Sequence, residues 1–117
     1  MIYLELPWPP RELSPNHRAH YQAKARAVKS YRRLCMAFAY NARQELPAGK
    51  LLMKIEFCPP DRRARDDDNM LASFKAGRDG IADGLKVNDN RFAAQFEAGE
   101  PVKGGLVKVF ISARESQ

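Results

Sequence analysis

Apolar and polar residues alternate strictly at two places in the chain. Ile2, Leu4 and Leu6 are separated by Tyr3 and Glu5, and Leu51, Met53, Ile55 and Phe57 alternate with Leu52, Lys54, Glu56 and Cys58. A two-residue period puts one set of side chains on one face of a strand. Residues 2–6 and 51–58 are therefore expected to be strands, each with one buried face. Between them, from about His17 to Leu46, the period lengthens. Tyr21, Ala25, Val28, Cys35, Ala39, Ala42 and Leu46 recur at spacings of three, four and seven, which predicts a helix with one buried stripe. A second helix is expected from Asn69 to about Gly84, packed through Met70, Leu71, Phe74, Ile81 and Leu85, with Gly84 either internal, like Gly77 and Gly80, or its C-cap. RFAAQFEA at 91–98 and GLVKVFIS at 105–112 predict two final strands, with GEPVKG between them as a hairpin-type loop.

Proline and glycine punctuate this pattern. Pro7, Pro9 and Pro10 stop the first strand and make a stiff connector, with Trp8 expected to pack on the body. Ser14, Pro15 and Asn16 are plausible entry residues for the first helix, Pro47 to Gly49 end it, and Pro59 and Pro60 end the second strand. The resulting order is β-α-β-α-β-β. It predicts an α+β fold of two helices packed on a mixed or antiparallel four-stranded sheet, in a single domain over residues 1–117.

Composition narrows the class. The chain is 44% hydrophobic and 29% charged, and no run approaches the about 18 apolar residues of a membrane span. Glu5, Pro7, Pro9 and Pro10 interrupt the N-terminal apolar run, which does not read as a signal peptide. Cys35 and Cys58 lack metal-ligand spacing and are expected to be reduced, buried and inert in a cytoplasmic protein. His17 and His20 have no third ligand nearby and are not expected to bind metal.

The charge of +6 is uneven. Residues 1–65 carry 13 Lys and Arg against 5 Asp and Glu, net +8, whereas residues 66–117 carry 7 against 9, net −2. Arg26, Lys29 and Arg33 form a row on the first helix, away from its apolar stripe. A basic half of this kind suits a polyanion, although a solvated face without a partner is an equal reading of the row alone.

The boundary between the halves is RRARDDDN, residues 62–69. Asp66, Asp67 and Asp68 follow Arg62, Arg63 and Arg65 directly. Adjacent carboxylates repel unless a cation lies between them. An oxygen-only donor set suits a hard ion such as Mg²⁺, held by one or two carboxylates with water and substrate phosphate. If the segment is extended, Asp66 and Asp68 leave one face and Asp67 the other; if it is helical, Asp66 and Asp68 lie about 200° apart. The competing expectation is that one aspartate caps the second helix. Lys75 and Asp79 fall seven and eleven residues beyond Asp68, within about 20° of one helical line. Lys75 is thus a candidate to stabilise charge on a phosphate, or else an ion-pair partner of Asp79. Asp89, in VNDNR, lies in a turn from which the end of the second helix could return the chain to the same site.

LPWPP at 6–10, PPDRRARDDDN at 59–69 and KGG at 103–105 together resemble the RusA-type Holliday junction resolvases over nearly the whole chain. That family consists of small homodimeric, Mg²⁺-dependent endodeoxyribonucleases, often prophage-borne, that cut four-way DNA junctions by paired nicks. The resemblance implies metal-binding catalytic aspartates at Asp66, Asp68 and Asp89. Arg62, Arg63, Arg65, Arg26, Lys29 and Arg33 are expected to hold backbone phosphates without reading bases. The chain departs from the pattern at three points. Asn88 replaces the first acid of the later acidic pair, Ala72 stands where the family has its lysine, with Lys75 the nearest substitute, and Asp67 occupies a usually apolar position.

If the basic half tracks phosphates, metal-free affinity for a four-way junction should fall linearly on a log–log plot against salt, through counterion release. A salt series with a labelled junction checks this, and a flat line removes the argument.

Overall fold

Four strands and three α-helices account for the regular structure of this computed structural model, which describes residues 1–18 and 20–114. The strands are β1 (Ile2–Pro7), β2 (Leu51–Cys58), β3 (Phe92–Ala98) and β4 (Leu106–Ala113). The helices are α1 (Tyr21–Asn41), α2 (Asp67–Ser73) and α3 (Lys75–Leu85), with single 3₁₀ turns at Arg11–Leu13 and Asp89–Arg91. The expected α+β class holds, and the sheet is mixed.

Its order is β1-β4-β2-β3. β4 lies antiparallel between β1 and β2, whereas β3 lies parallel to β2 on the far edge. The last two strands are therefore not a hairpin, in contrast to the sequence expectation. Parallel neighbours need a crossover, and α2 and α3 provide it between β2 and β3. The β3–β4 connection then carries the chain past the end of β2 to its other side.

One face of the sheet is the core. Ile2, Leu4, Leu6, Leu51, Met53, Ile55, Phe57, Val107, Val109 and Ile111 are all buried, and the pairings Leu4↔Val109 and Ile55↔Val109 run an apolar row across three strands. Tyr31, Cys35 and Ala39 of α1, and Met70, Phe74 and Ile81 of the crossover, cover that face. The alternation read from β1 and β2 is thus the alternation observed.

The helices differ more from expectation. α1 begins at Tyr21, not His17, because Ser14 to His17 form a turn closed by the His17 N–H on the Ser14 carbonyl (3.1 Å). The N-cap is His20, whose Nδ1 accepts the Gln22 N–H at 3.2 Å. The helix ends at Asn41, where the Arg43 guanidinium donates to the Tyr40 carbonyl at 2.7 Å and stacks 3.7 Å from the Tyr40 ring. Leu46 lies beyond the helix but still packs on the core. The expected stripe also shortens: Tyr21 and Val28 are exposed, and Ala25 with them.

The reason is the reach of α3. A Cβ on Gly80 would meet the Arg32 carbonyl and Cys35, and one on Gly84 would meet the Met36 carbonyl and Ala39. α3 therefore covers α1 from Arg32 onward, and the first turns of α1 overhang. Gly84 is a packing residue rather than the C-cap, which is Lys86 in the left-handed region at φ 58°. Arg32 adds a bidentate pair to Asp83 at 2.6 and 3.1 Å. What was expected as one helix over 69–84 is two, broken at Phe74 (φ −94°, ψ 3°), whose ring is fully buried against Phe57 and Tyr31.

Cys35 and Cys58 are both buried thiols. Burial pushes Cys35 up to about 12, and burial followed by the Glu56 carboxylate raises Cys58. Among the described residues, no helix is long and apolar enough to cross a membrane.

Gly80→Ala should destabilise the fold by roughly 1–3 kcal/mol, because backbone on α1 cannot yield as a side chain would. Denaturant unfolding checks it against Gly49→Ala, where added bulk meets nothing and only the left-handed φ of 91° is strained.

Candidate functional site

The candidate chemistry sits on the loop that leaves β2. Pro59 and Pro60 end the strand, and the Val102 N–H donates to the Pro59 carbonyl (2.9 Å) while the Gly99 N–H donates to that of Phe57 (2.8 Å). The β3–β4 connection is thereby fastened to the same end of the sheet. Inside the loop, Asp61 is the hub. Its carboxylate accepts the Arg63 N–H at 3.0 Å and pairs with Arg65 Nη1 at 2.8 Å, and Arg65 also donates to the carbonyls of Asp61 (3.3 Å) and Arg63 (3.2 Å). The Arg65 hydrogen bond, with those from Arg63, lowers the Asp61 carboxyl to about 2.

This changes the roles expected of the arginines. Arg65 has only 19% of its side chain exposed and is engaged in holding the loop. Arg62 and Arg63 are exposed, and so are Arg26, Lys29 and Arg33 on α1. All five are accessible to an external anion, Arg63 while also pairing through Nε with the Asp61 carboxylate at 3.3 Å.

The aspartates do not follow strand parity. Asp66 is extended (φ −78°, ψ 127°), but α2 begins at Asp67, so Asp67 and Asp68 form its first turn. Asp66 is the N-cap, and its Oδ1 accepts the N–H of Asp68 at 2.8 Å and of Asn69 at 3.3 Å. Two otherwise orphaned helix N–H groups outweigh an extended conformation there. The capping expectation is correct for Asp66, whereas the division of the three by alternation is not. All three side chains are exposed. Asp67 and Asp68 also carry negative charge at the favourable end of the helix dipole.

Asp66 lines a cleft of about 400 Å³ between this loop, α2 and the proline-rich segment after β1. Trp8 is the aromatic wall. It is half-buried, edge-on to Phe57 at 6.2 Å between centroids, with the Arg65 guanidinium 5.9 Å from its ring centroid. Gly105, at φ 78°, lies so close that a Cβ there would run into the indole. The Tyr31 hydroxyl donates to the Pro7 carbonyl at 2.6 Å and fixes the start of the segment. Trp8, Arg65 with Asp66, and Gly105 belong to three separate motifs, and they meet here. The role of Gly105 could have been suspected from its motif, but the Trp8 contact has no local signal.

Asp89 is elsewhere. β2 and β3 pair in parallel from Leu51↔Phe92 to Phe57↔Ala98, roughly 20 Å at ~3.3 Å per residue. Asp66 follows the far end of that run, and Asp89, in the turn before Phe92, precedes its start. The crossover returns the chain to the beginning of β2, not to its end. Asp89 instead borders a cavity with Arg32, Asp79 and Asp83. Lys75 donates to Asp79 at 2.7 Å, the ion pair that was its alternative role, and the break at Phe74 removes the single helical line that pointed it at Asp68. Among the described residues, no three His, Cys, Asp or Glu side chains are grouped to hold a metal ion. The set Asp66, Asp68 and Asp89 is therefore not assembled within one chain.

A protein of Xylella fastidiosa described as uncharacterized is 47% identical over 98 residues, covering 80% of this chain. The chain spans 64% of the length of that relative. No family model matches the chain.

The low Asp61 pKa has a consequence for pH. A depressed carboxyl stabilises the fold above its unfolded value of 3.8, and the contribution is lost as pH falls through about 2. The difference in melting temperature between the wild type and Asp61→Asn should be constant above about pH 4 and close between pH 4 and 2. Thermal melts across that range check it.

Proposed function

We propose that the protein is a Mg²⁺-dependent, structure-selective endodeoxyribonuclease that resolves four-way DNA junctions by paired symmetric nicks, in a cytoplasmic recombination or repair process. The observation that carries this reading is the convergence at one cleft of the three segments that resemble the junction resolvases. Asp66 and Arg63 line that cleft, and Arg62, Asp67 and Asp68, next to them in the chain, are exposed as well. The donor chemistry fits a hard cation held by one or two carboxylates, the remaining positions going to water and substrate phosphate. Asp66 and Asp68 would hold it: the Asp66 Oδ1 accepts the Asp68 backbone N–H at 2.8 Å, its Oδ2 has no hydrogen-bond partner among the described residues, and the Asp68 side chain is exposed. Mg²⁺, when bound, supplies an activated water and neutralises charge on the phosphodiester.

The chain's own residues position the strand. Arg62 and Arg63 neutralise backbone phosphates on the loop, and Arg26, Lys29 and Arg33 do so along α1. Hydrolysis adds water across the P–O3′ bond and leaves a 5′-phosphate and a 3′-hydroxyl. A junction of approximate two-fold symmetry needs two such sites, so a C2 homodimer is part of the proposal. Binding without cleavage is the second reading, favoured by the position of Asp89 at the opposite end of the sheet. A nuclease acting on another nucleic-acid structure is an outcome of the test.

The test is cutting of a labelled four-way junction with Mg²⁺ or with EDTA, beside a linear duplex and a flap. Asp66→Asn is the informative variant. Asparagine caps a helix as well as aspartate does, so the fold and metal-free binding should be kept while cutting falls at least about 100-fold, about 2.7 kcal/mol in the barrier. Binding with no cutting under any divalent ion supports the second reading, and a normal rate for Asp66→Asn removes the site.

A further inference from the structure

The cleft beside Asp66 has walls that a simple phosphate track does not require. A backbone track needs cations alone, yet here Trp8 stands half-exposed on a rigid support of Pro9 and Pro10, with Asn16 and Asn69 facing the same space. Asn16 and Asn69 give their backbone N–H groups to Ser14 Oγ and Asp66 Oδ1, and their side-chain amides are unengaged among the described residues. An amide presents two donors and an acceptor, the pattern that meets the edge of a nucleobase. Arg63 borders the cleft and is exposed enough to take the attached phosphate.

We propose that this cleft is a subsite for one unpaired nucleotide of the bound DNA strand, its base lying on Trp8 and its edge met by Asn16 and Asn69. This rests on the nuclease reading for its substrate class, but the subsite is a matter of binding and needs neither metal nor cleavage. The volume of about 400 Å³ falls in the ordinary range for small-molecule sites. Gly105 packs against the Cβ, Cγ and Cδ2 of Trp8, and the Arg65 guanidinium stands 5.9 Å from the ring centroid. A base between two planar groups needs roughly 7 Å, twice a contact distance of ~3.5 Å, so Arg65 moves outward to admit it. Its bonds to the Asp61 and Arg63 carbonyls, at 3.3 and 3.2 Å, are long ones, and it pivots on the 2.8 Å pair with the Asp61 carboxylate. Stacking on an aromatic tolerates any base, which suits a site that takes a nucleotide extruded at a branch rather than a particular sequence.

Trp8 is the single tryptophan of the chain, so its emission reports on this cleft alone. The experiment titrates the metal-free protein with a six-nucleotide thymidine oligonucleotide, a blunt duplex, an abasic oligonucleotide of the same length, and inorganic phosphate. Saturable quenching by the thymidine strand, and not by the other three, is expected. In parallel, fluorescence anisotropy of a labelled thymidine strand should show at least about fivefold weaker binding by Trp8→Leu and by Asn69→Ala. Trp8→Phe, which keeps a stacking face, should bind within about twofold of wild type. Thermal melts of the variants separate a fold defect from a lost contact, and Trp8→Phe against Trp8→Leu keeps the comparison valid if both are somewhat less stable. Anisotropy that shows strand binding while Trp8 emission stays unchanged would overturn the proposal, as would equal affinities for Trp8→Leu and wild type. Equal quenching by phosphate or by the abasic strand would also overturn it, by making the cleft an anion site. Because no Mg²⁺ is present, a failure here leaves the cleavage test standing, and an inactive enzyme leaves this one standing.

Discussion

Parallel pairing of β2 with β3 governs the rest of the molecule. Two parallel neighbours cannot be joined by a turn, so the chain must climb from the end of β2 back to the beginning of β3. The eighteen-odd residues of α2 and α3 do this across the core face, and their contact with α1 follows from where they must lie. The same constraint collects the carboxyl ends of β1, β2 and β3, with the start of β4, at one edge of the sheet. Loops at the carboxyl ends of parallel strands are where open sheets flanked by helices commonly bind ligands. The cleft of Trp8 and Asp66 occupies that edge, and Asp89 is held at the other.

Charge at the site is divided between structure and solvent. Asp61 and Arg65 neutralise each other inside the loop and set its shape, so neither is available to a substrate at full strength. Asp66 spends one oxygen on the helix N-terminus and keeps the other. Asp67, Asp68, Arg62 and Arg63 are turned outward. The loop thereby presents negative charge next to positive charge over a few residues, with Asp61 pairing to Arg65 and, more loosely, to Arg63.

Alternation made β1 and β2 legible, since a one-residue slip in either would have turned Leu4 or Ile55 out to water. The α+β class followed from them and from the helical period around Cys35 and Ala39. Pairing was not legible: RFAAQFEA and GLVKVFIS are strands on their own evidence, but nothing local says that the chain passes β2 between them. The overhang of α1 was hidden for the same reason, because the burial of Tyr21 and Val28 depends on where α3 begins. At the site, the DDDN block marked the location, and the cap at Asp66 was one of its two readings. The distance from Asp66 to Asp89 is set by the parallel register, and the Trp8–Gly105 contact by the packing of two distant loops. Neither is a property of a window of sequence.

The two cysteines illustrate what burial does for the experimenter. Cys35 is sealed beneath α1 and Cys58 closes the end of β2, and both thiols are driven away from the thiolate form that reacts with maleimides and disulfides. Burial and a raised thiol pKa both disfavour reaction at these two positions. A cysteine introduced on the open surface, for instance at the exposed Ala37 of α1, would become the one address for a dye or spin label, with no need to remove the natural pair and disturb the core around them.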